Sequence, residues 1–209
     1  MSCTSSALFG DSSVTLARRP ARRTELILKT DSAPSCSTAQ RSRDKSFSVT
    51  AEVVAPDAGA NGTIIAQGGT IGGWSFYTKE GKAKFAYNLL GLQIFTSEAE
   101  EPVASGKHQV RAEFDYDGGG LAKGGNVTLY YDGEMVGEGR VEATQPFIFS
   151  PDEGLDVGRE TGTTVAPECD VESSEFTGEI NWVELKVGGD DHSHMVDSEQ
   201  LIHVLMSRQ

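Results

Sequence analysis

Between Glu113 and Asp117 the chain reads Glu-Phe-Asp-Tyr-Asp, which sets three carboxylates two residues apart. In an extended strand that spacing turns Glu113, Asp115 and Asp117 to one face. Retaining glycoside hydrolysis needs two carboxyls about 5–5.5 Å apart, one as nucleophile and one as acid and base. Glu113 and Asp115, with Asp117 beside them, are therefore candidate catalytic residues. The competing reading, which takes precedence, is the solvent face of an outer strand in an acidic domain.

Two other groups have the chemistry of metal ligands. Asp190, Asp191, His192 and His194 combine carboxylate and imidazole within five residues, although a polar linker containing His-x-His explains them as well. Asp156, Glu160, Asp170 and Glu172 could hold a structural Ca²⁺ through oxygen ligands, against the simpler reading of solvated rim acids. Tyr77 and Tyr130 are candidate sugar-stacking rings. Trp74, Tyr87 and Phe95 belong to the same set, but aromatic residues of a sandwich are more often core. His108 and His203 stand alone and read as structural.

Composition narrows the setting. The 209 residues carry a net charge of −13, unevenly placed: residues 1–45 hold eight Lys/Arg against four Asp/Glu, leaving 10 against 27, or −17, in the remainder. Such a surface repels phosphate backbones, so nucleic acid is not an expected partner. No run of 18 apolar residues is present, so no membrane-spanning helix is expected. Three cysteines, Cys3, Cys36 and Cys169, with no Cys-x-x-Cys spacing, argue against a disulfide framework or a zinc knuckle. The first 23 residues lack both periodicity and an apolar signal core, and read as a basic, disordered tail. Localisation is cytoplasmic by default, or periplasmic or secreted if an attached domain is exported.

The elements that must position these residues are strands. Gly68, Gly69, Gly72 and Gly73 lead into Trp74-Ser75-Phe76-Tyr77, where Trp74 and Phe76 share one face. After the turn Lys79-Glu80-Gly81-Lys82, Phe85 and Tyr87 continue that face. Phe47, Val49, Ala51 and Val53 alternate with polar residues, and Val110, Ala112, Phe114 and Tyr116 alternate with Arg111, Glu113 and Asp115. Asp132-Gly133 marks a hairpin turn between 127–131 and 134–141. Further short strands are expected at 24–29, 62–67, 92–96, 147–149 and 155–158, with an irregular acidic rim loop over 159–175. In the last strand, 176–187, the apolar phase switches near Trp182, which predicts a bulge. Asp197 and Gln200 cap a short C-terminal helix with Leu201, Val204 and Leu205 as its stripe. The expected fold is all-β, a two-sheet antiparallel sandwich of jelly-roll type over 24–189, followed by an acidic, His-containing linker and helix over 190–209.

The ordered segments AQGGTIGGWSFY, AYNLLGLQ, SGKHQVRAEFDYDGGGLAKGGNVTLYYDGEMVGEGR, LDVGRETGT, FTGEINWVELKV and DDHSH…MSRQ resemble the C-terminal domain of bacterial arylsulfatases of the alkaline-phosphatase-like superfamily. That resemblance implies a concanavalin A-like or laminin G-like sandwich serving as a non-catalytic accessory domain. Its expected partner is a sulfatase catalytic domain or an identical subunit. Sulfatases use a divalent cation such as Ca²⁺ and a formylglycine formed within C/S-x-P-S-R. None of the three cysteines has that context, and in Ser32-Ala33-Pro34-Ser35-Cys36 a cysteine stands where Arg is needed. This chain is thus expected to have no cofactor and no sulfatase activity of its own. Laminin G-like domains often bind Ca²⁺ at the rim, but Glu160 stands where Asp would be expected. Two alternatives remain. One is a lectin-like module that binds carbohydrate. The other is a jelly-roll glucanase using Glu113 and Asp115, which resembles the laminarinase and lichenase pattern but ends in Asp and lacks a flanking Trp or Met.

Overall fold

The computed structural model describes residues 45–118, 120–145, 149 and 154–188 with their side chains, and the backbone of two strands at 13–19 and 23–27. Among the described residues the strands are β1 (Ser13–Arg19), β2 (Arg23–Ile27), β3 (Phe47–Ala55), β4 (Gly62–Gly69), β5 (Gly72–Lys79), β6 (Lys82–Leu89), β7 (Gln93–Glu98), β8 (Gly106–Tyr116), β9 (Gly125–Tyr131), β10 (Glu134–Val141), β11 (Leu155–Val157) and β12 (Glu179–Val187). All pairings are antiparallel. They form a seven-stranded sheet in the order β10-β9-β8-β3-β12-β1-β2 and a five-stranded sheet in the order β11-β4-β5-β6-β7.

The inner faces of these sheets meet in one core, which the period-two patterns specify. Val49, Ala51 and Val53 of β3 and Val110, Ala112 and Phe114 of β8 face Trp74, Phe76, Phe85 and Tyr87 of the hairpin β5–β6. Phe47 binds the two layers together, its ring centroid 5.0 Å from Trp74 and 5.4 Å from Phe114. Such contacts contribute roughly 0.5–1.5 kcal/mol each beyond the area that they bury. The hairpins close through paired left-handed residues, Glu80 and Gly81 at φ 54° and 79°, and Asp132 and Gly133 at 49° and 86°. This is the turn whose twist suits two adjoining strands.

Glycine lets the sheets close on each other at one edge. A Cβ on Gly137 of β10 would stand 2.5 Å from the Glu98 carbonyl oxygen, and Glu100 donates its amide to Val136 O at 2.7 Å. The bulge anticipated in the last strand is present. Pairing of β12 with β3 slips between Ile180 and Trp182, so Ile180, Val183 and Leu185 face the core while Trp182 turns outward.

Several boundaries differ from the sequence reading. Within the stretch read as a disordered tail, Ser13–Arg19 forms β1 and pairs with β12. In the segment 147–149 no strand is assigned to Phe149, and its neighbours lie outside the described residues. The acidic segment 159–175 is not a rim: it lies flat on the outer face of the five-stranded sheet. There Thr63 donates its amide to Ser174 O at 2.8 Å, Thr70 its amide to Thr163 Oγ1 at 2.9 Å, and Asn88 Nδ2 to Val165 O at 3.1 Å. The expected C-terminal helix falls outside the described residues, as do Asp190, His192 and His194.

Candidate functional site

The outer face of β9, β8, β3 and β12 in the seven-stranded sheet is polar, and strand register sorts it into rows. One row runs Tyr130, Arg111, Thr50, Glu184 across β9, β8, β3 and β12; the next runs Thr128, Glu113, Ser48, Lys186; a third joins Gln109, Glu52 and Trp182. Neighbours in a row stand on strands about 4.8 Å apart. The alternation that buries Val110, Ala112 and Phe114 necessarily sends Arg111, Glu113 and Asp115 to this side.

Arg111 organises the face. It is 1% exposed and donates from Nη1 to Thr50 Oγ1 at 2.7 Å and from Nε to Glu113 Oε1 at 2.6 Å. The other Glu113 oxygen accepts from the Tyr130 hydroxyl at 3.2 Å. Burial, reinforced by the Glu113 charge, raises the Tyr130 phenol above its ordinary pKa and keeps it a donor. Glu52 accepts from Asn181 Nδ2 at 2.9 Å and pairs with Lys107 at 3.0 Å.

The face has two halves. On β3 and β12 the residues Ser48, Thr50, Glu52, Trp182 and Glu184 are buried. Among the described residues, Ser48 Oγ, Trp182 Nε1 and Glu184 Oε2 have no hydrogen-bond partner. On β8, β9 and β10 the residues Glu113, Thr128 and Tyr130 are half-buried, and Asp115, Asn126 and Arg140 are exposed. Among the described residues of this face, the second half is the part open to a large ligand.

The three proposed catalytic carboxylates are therefore split among different partners. Glu113 belongs to the Arg111–Tyr130 relay. Asp115 accepts from Ser46 Oγ at 3.1 Å. Asp117 lies past the strand end, where Arg140 Nη1 donates to it at 2.9 Å and holds its carboxyl below the usual range. Arg111, Trp182 and Glu184 are not among the candidate site residues read from the sequence, although the alternation of β8 and the bulge at Trp182 place all three on this face.

The structure separates the two candidate tyrosines. Tyr77 is fully buried under the acidic segment, where its hydroxyl donates to Glu168 Oε1 at 2.5 Å. Burial, with Glu168 adding to it, raises the Tyr77 phenol. Burial also pushes the Glu168 carboxyl upward, but Tyr77, Lys84 and Lys79 together outweigh it and hold the group below its usual range. Trp74 and Tyr87 lie in the core, and Phe95 packs against it. Of the proposed stacking rings, Tyr130 alone stands on an open polar face.

The acids proposed for Ca²⁺ do not converge. Glu160 is 1% exposed, and its oxygens accept from Thr63 Oγ1 at 2.9 Å, Ser75 Oγ at 3.1 Å and Val165 N at 2.8 Å. Asp156 accepts from the Thr161 amide at 2.6 Å, while Asp170 and Glu172 are exposed on the segment beyond. Among the described residues, no three His, Cys, Asp or Glu side chains are grouped to hold a metal ion. His108 packs its Nδ1 2.6 Å from Asp132 Oδ2 beside a hairpin turn.

Comparison with known proteins shows no family. No family profile matches the chain, and no curated protein does. Solved structures with a similar backbone include the CBM40 module of the Ruminococcus gnavus IT-sialidase bound to α2,3-sialyllactose, at 14% identity and a TM-score of 0.46 over 79% of this chain and 85% of that one. Mouse laminin α1 domains LG4-5 align at 14% identity and 0.45, covering 86% of this chain and 40% of that one. Botulinum neurotoxin type C, described as entering cells by interaction with two ganglioside molecules, aligns at 11% and 0.48, covering 94% and 42%. None of these is a sulfatase, and the expected likeness to the arylsulfatase C-terminal domain is withdrawn. Glycine turns and alternating strands are general to antiparallel β-structure, so these segments do not by themselves identify a family.

Proposed function

We propose that this chain is a lectin-like glycan-binding module whose ligand lies on the open half of the polar face, across β8, β9 and β10. The observation that carries this reading is the half-buried Tyr130 ring, fixed through its hydroxyl to Glu113 and through Glu113 to the buried Arg111. A ring held in one orientation stacks on the apolar face of a pyranose without losing side-chain freedom on binding. The carboxylate beside it accepts from sugar hydroxyls, while Asn126 and Thr128 offer both donor and acceptor groups. Glu113, Asp115 and the net charge of −13 oppose anionic sugars, so the reading specifies a neutral glycan.

A glycan array followed by titration calorimetry, each with and without Ca²⁺, tests this. The expected result is binding of neutral oligosaccharides that Tyr130→Ala weakens by about tenfold or more, the effect of removing a central aromatic contact. Silence on the array under both conditions, or unchanged affinity in Tyr130→Ala, would overturn the proposal.

A further inference from the structure

Four of the five large apolar side chains exposed among the described residues gather at one end of the sandwich. They are Ile71 at 60% exposure, Leu90 at 47%, Leu92 at 86% and Leu121 at 64%. Ile71 sits in the β4–β5 turn, and Leu90 and Leu92 in the β6–β7 turn. These turns touch: Asn88 Nδ2 donates to Thr70 O at 3.1 Å, and a Cβ on Gly91 would lie 2.9 Å from that same oxygen. Leu121, in the β8–β9 loop, reaches this end through Lys123 and its neighbours. Lys123 O accepts from the Thr144 amide at 3.0 Å, and the next amide, Gln145 N, donates to Tyr87 Oη at 2.9 Å. The fifth residue, Met135, follows the β9–β10 turn at the opposite end.

Two features distinguish the cluster from incidental exposure. Leu90 holds φ 58° and Gly91 φ 70°, the left-handed pair of a tight turn that Asn and Gly fill at lower energy. A leucine there is unfavourable for the backbone as well as for solvation, which points to a use for the side chain. The second feature is charge. No charged residue occurs from Gly62 to Thr78 or from Phe85 to Ser97, the stretches that carry Ile71, Leu90 and Leu92, whereas the loop of Leu121 holds Asp117 and Lys123.

We infer that this end of the molecule inserts its aliphatic loop tips into the interfacial layer of a zwitterionic lipid bilayer. The four side chains expose on the order of 300 Å² of apolar surface, taking ~100 Å² for each fully exposed aliphatic chain. A stable protein interface buries about 800 Å² on each partner, so the patch is small for that role. Separate loop tips suit shallow insertion between headgroups. A net charge of −13 opposes an anionic surface, which selects neutral zwitterionic headgroups.

Flotation of the full chain with phosphatidylcholine vesicles tests the inference in the absence of any glycan, so its outcome is separate from that of the glycan reading. The chain is expected to float with the vesicles. Leu92→Ser and Ile71→Ser should each lower the bound fraction about fivefold or more, Met135→Ser should leave it unchanged, and phosphatidylserine at low salt should weaken binding. Absence of flotation, equal loss in Met135→Ser, or stronger binding to phosphatidylserine would each overturn it. So would a dimer in sedimentation velocity that Leu92→Ser dissociates, since the patch would then join two copies of the chain.

Discussion

Thr63 Oγ1 donates to Glu160 Oε1 across 2.9 Å, joining positions 97 residues apart and fastening the acidic segment to the five-stranded sheet. Ser75 and the Val165 amide complete the set of donors. The acidic segment thereby covers Tyr77 and Ala86 on the outer face of this sheet, whereas Glu113, Thr128 and Tyr130 on the seven-stranded sheet stay half-buried.

This anchor makes stability depend on pH. Burial raises the Glu160 carboxyl above its ordinary value of 4.5, although its three donors favour the charged form. A carboxyl raised in the folded state contributes stability below the unfolded pKa and loses it as pH rises through the folded value. Urea denaturation of the wild type should therefore show a loss above pH 4.5 that is reduced in Glu160→Gln. Parallel pH profiles for the two proteins would refute the assignment.

Cys169 should be a slow nucleophile. Burial, with Glu160 and Glu168 nearby, pushes its thiol up to about 11, so little thiolate is present at neutral pH. Iodoacetamide labelling at pH 8, followed by peptide mass spectrometry, should modify Cys169 at least tenfold more slowly in the native protein than in urea. Equal rates would show that the segment does not stay docked.

The closed edge of the sandwich depends on Gly137. A methyl there would meet Glu98 O at 2.5 Å and Ala99 Cα at 3.0 Å, both backbone atoms that no side-chain rotation can move. Gly137→Ala should cost roughly 1–3 kcal/mol of unfolding free energy, measured by chemical denaturation. A neutral effect would mean that β7 and β10 part easily.

Leu90→Asn should act oppositely on stability and on lipid binding. Asn tolerates the left-handed turn, so relief of about 1 kcal/mol of backbone strain should raise the Tm by a few degrees. The same substitution removes an inserted side chain and should reduce vesicle flotation. A lower Tm would show that Leu90 packs usefully where it stands.

The two halves of the polar face differ in how legible they were. The Arg111, Glu113 and Asp115 side followed from alternation in β8, because a strand whose even positions are Val110, Ala112 and Phe114 has one orientation against a core. Trp182 and Glu184 required the bulge, whose presence the phase switch signalled but whose partner strand it did not. Tyr77 and Tyr130 carried the same sequence signal, a tyrosine in an alternating strand. Their fates diverged because a segment some 90 residues away folds over one of them.

By itself the sequence determined the all-β class, the hairpin β5–β6, the alternation of the long strands and the bulge near Trp182. These are local consequences of side-chain period and turn chemistry. Tertiary structure decided which face of each sheet stays open. It also decided that Glu160 lies buried among donors, and that four exposed aliphatic residues share one end. Those outcomes depend on contacts between distant segments, and no local spacing encodes which segment covers which face.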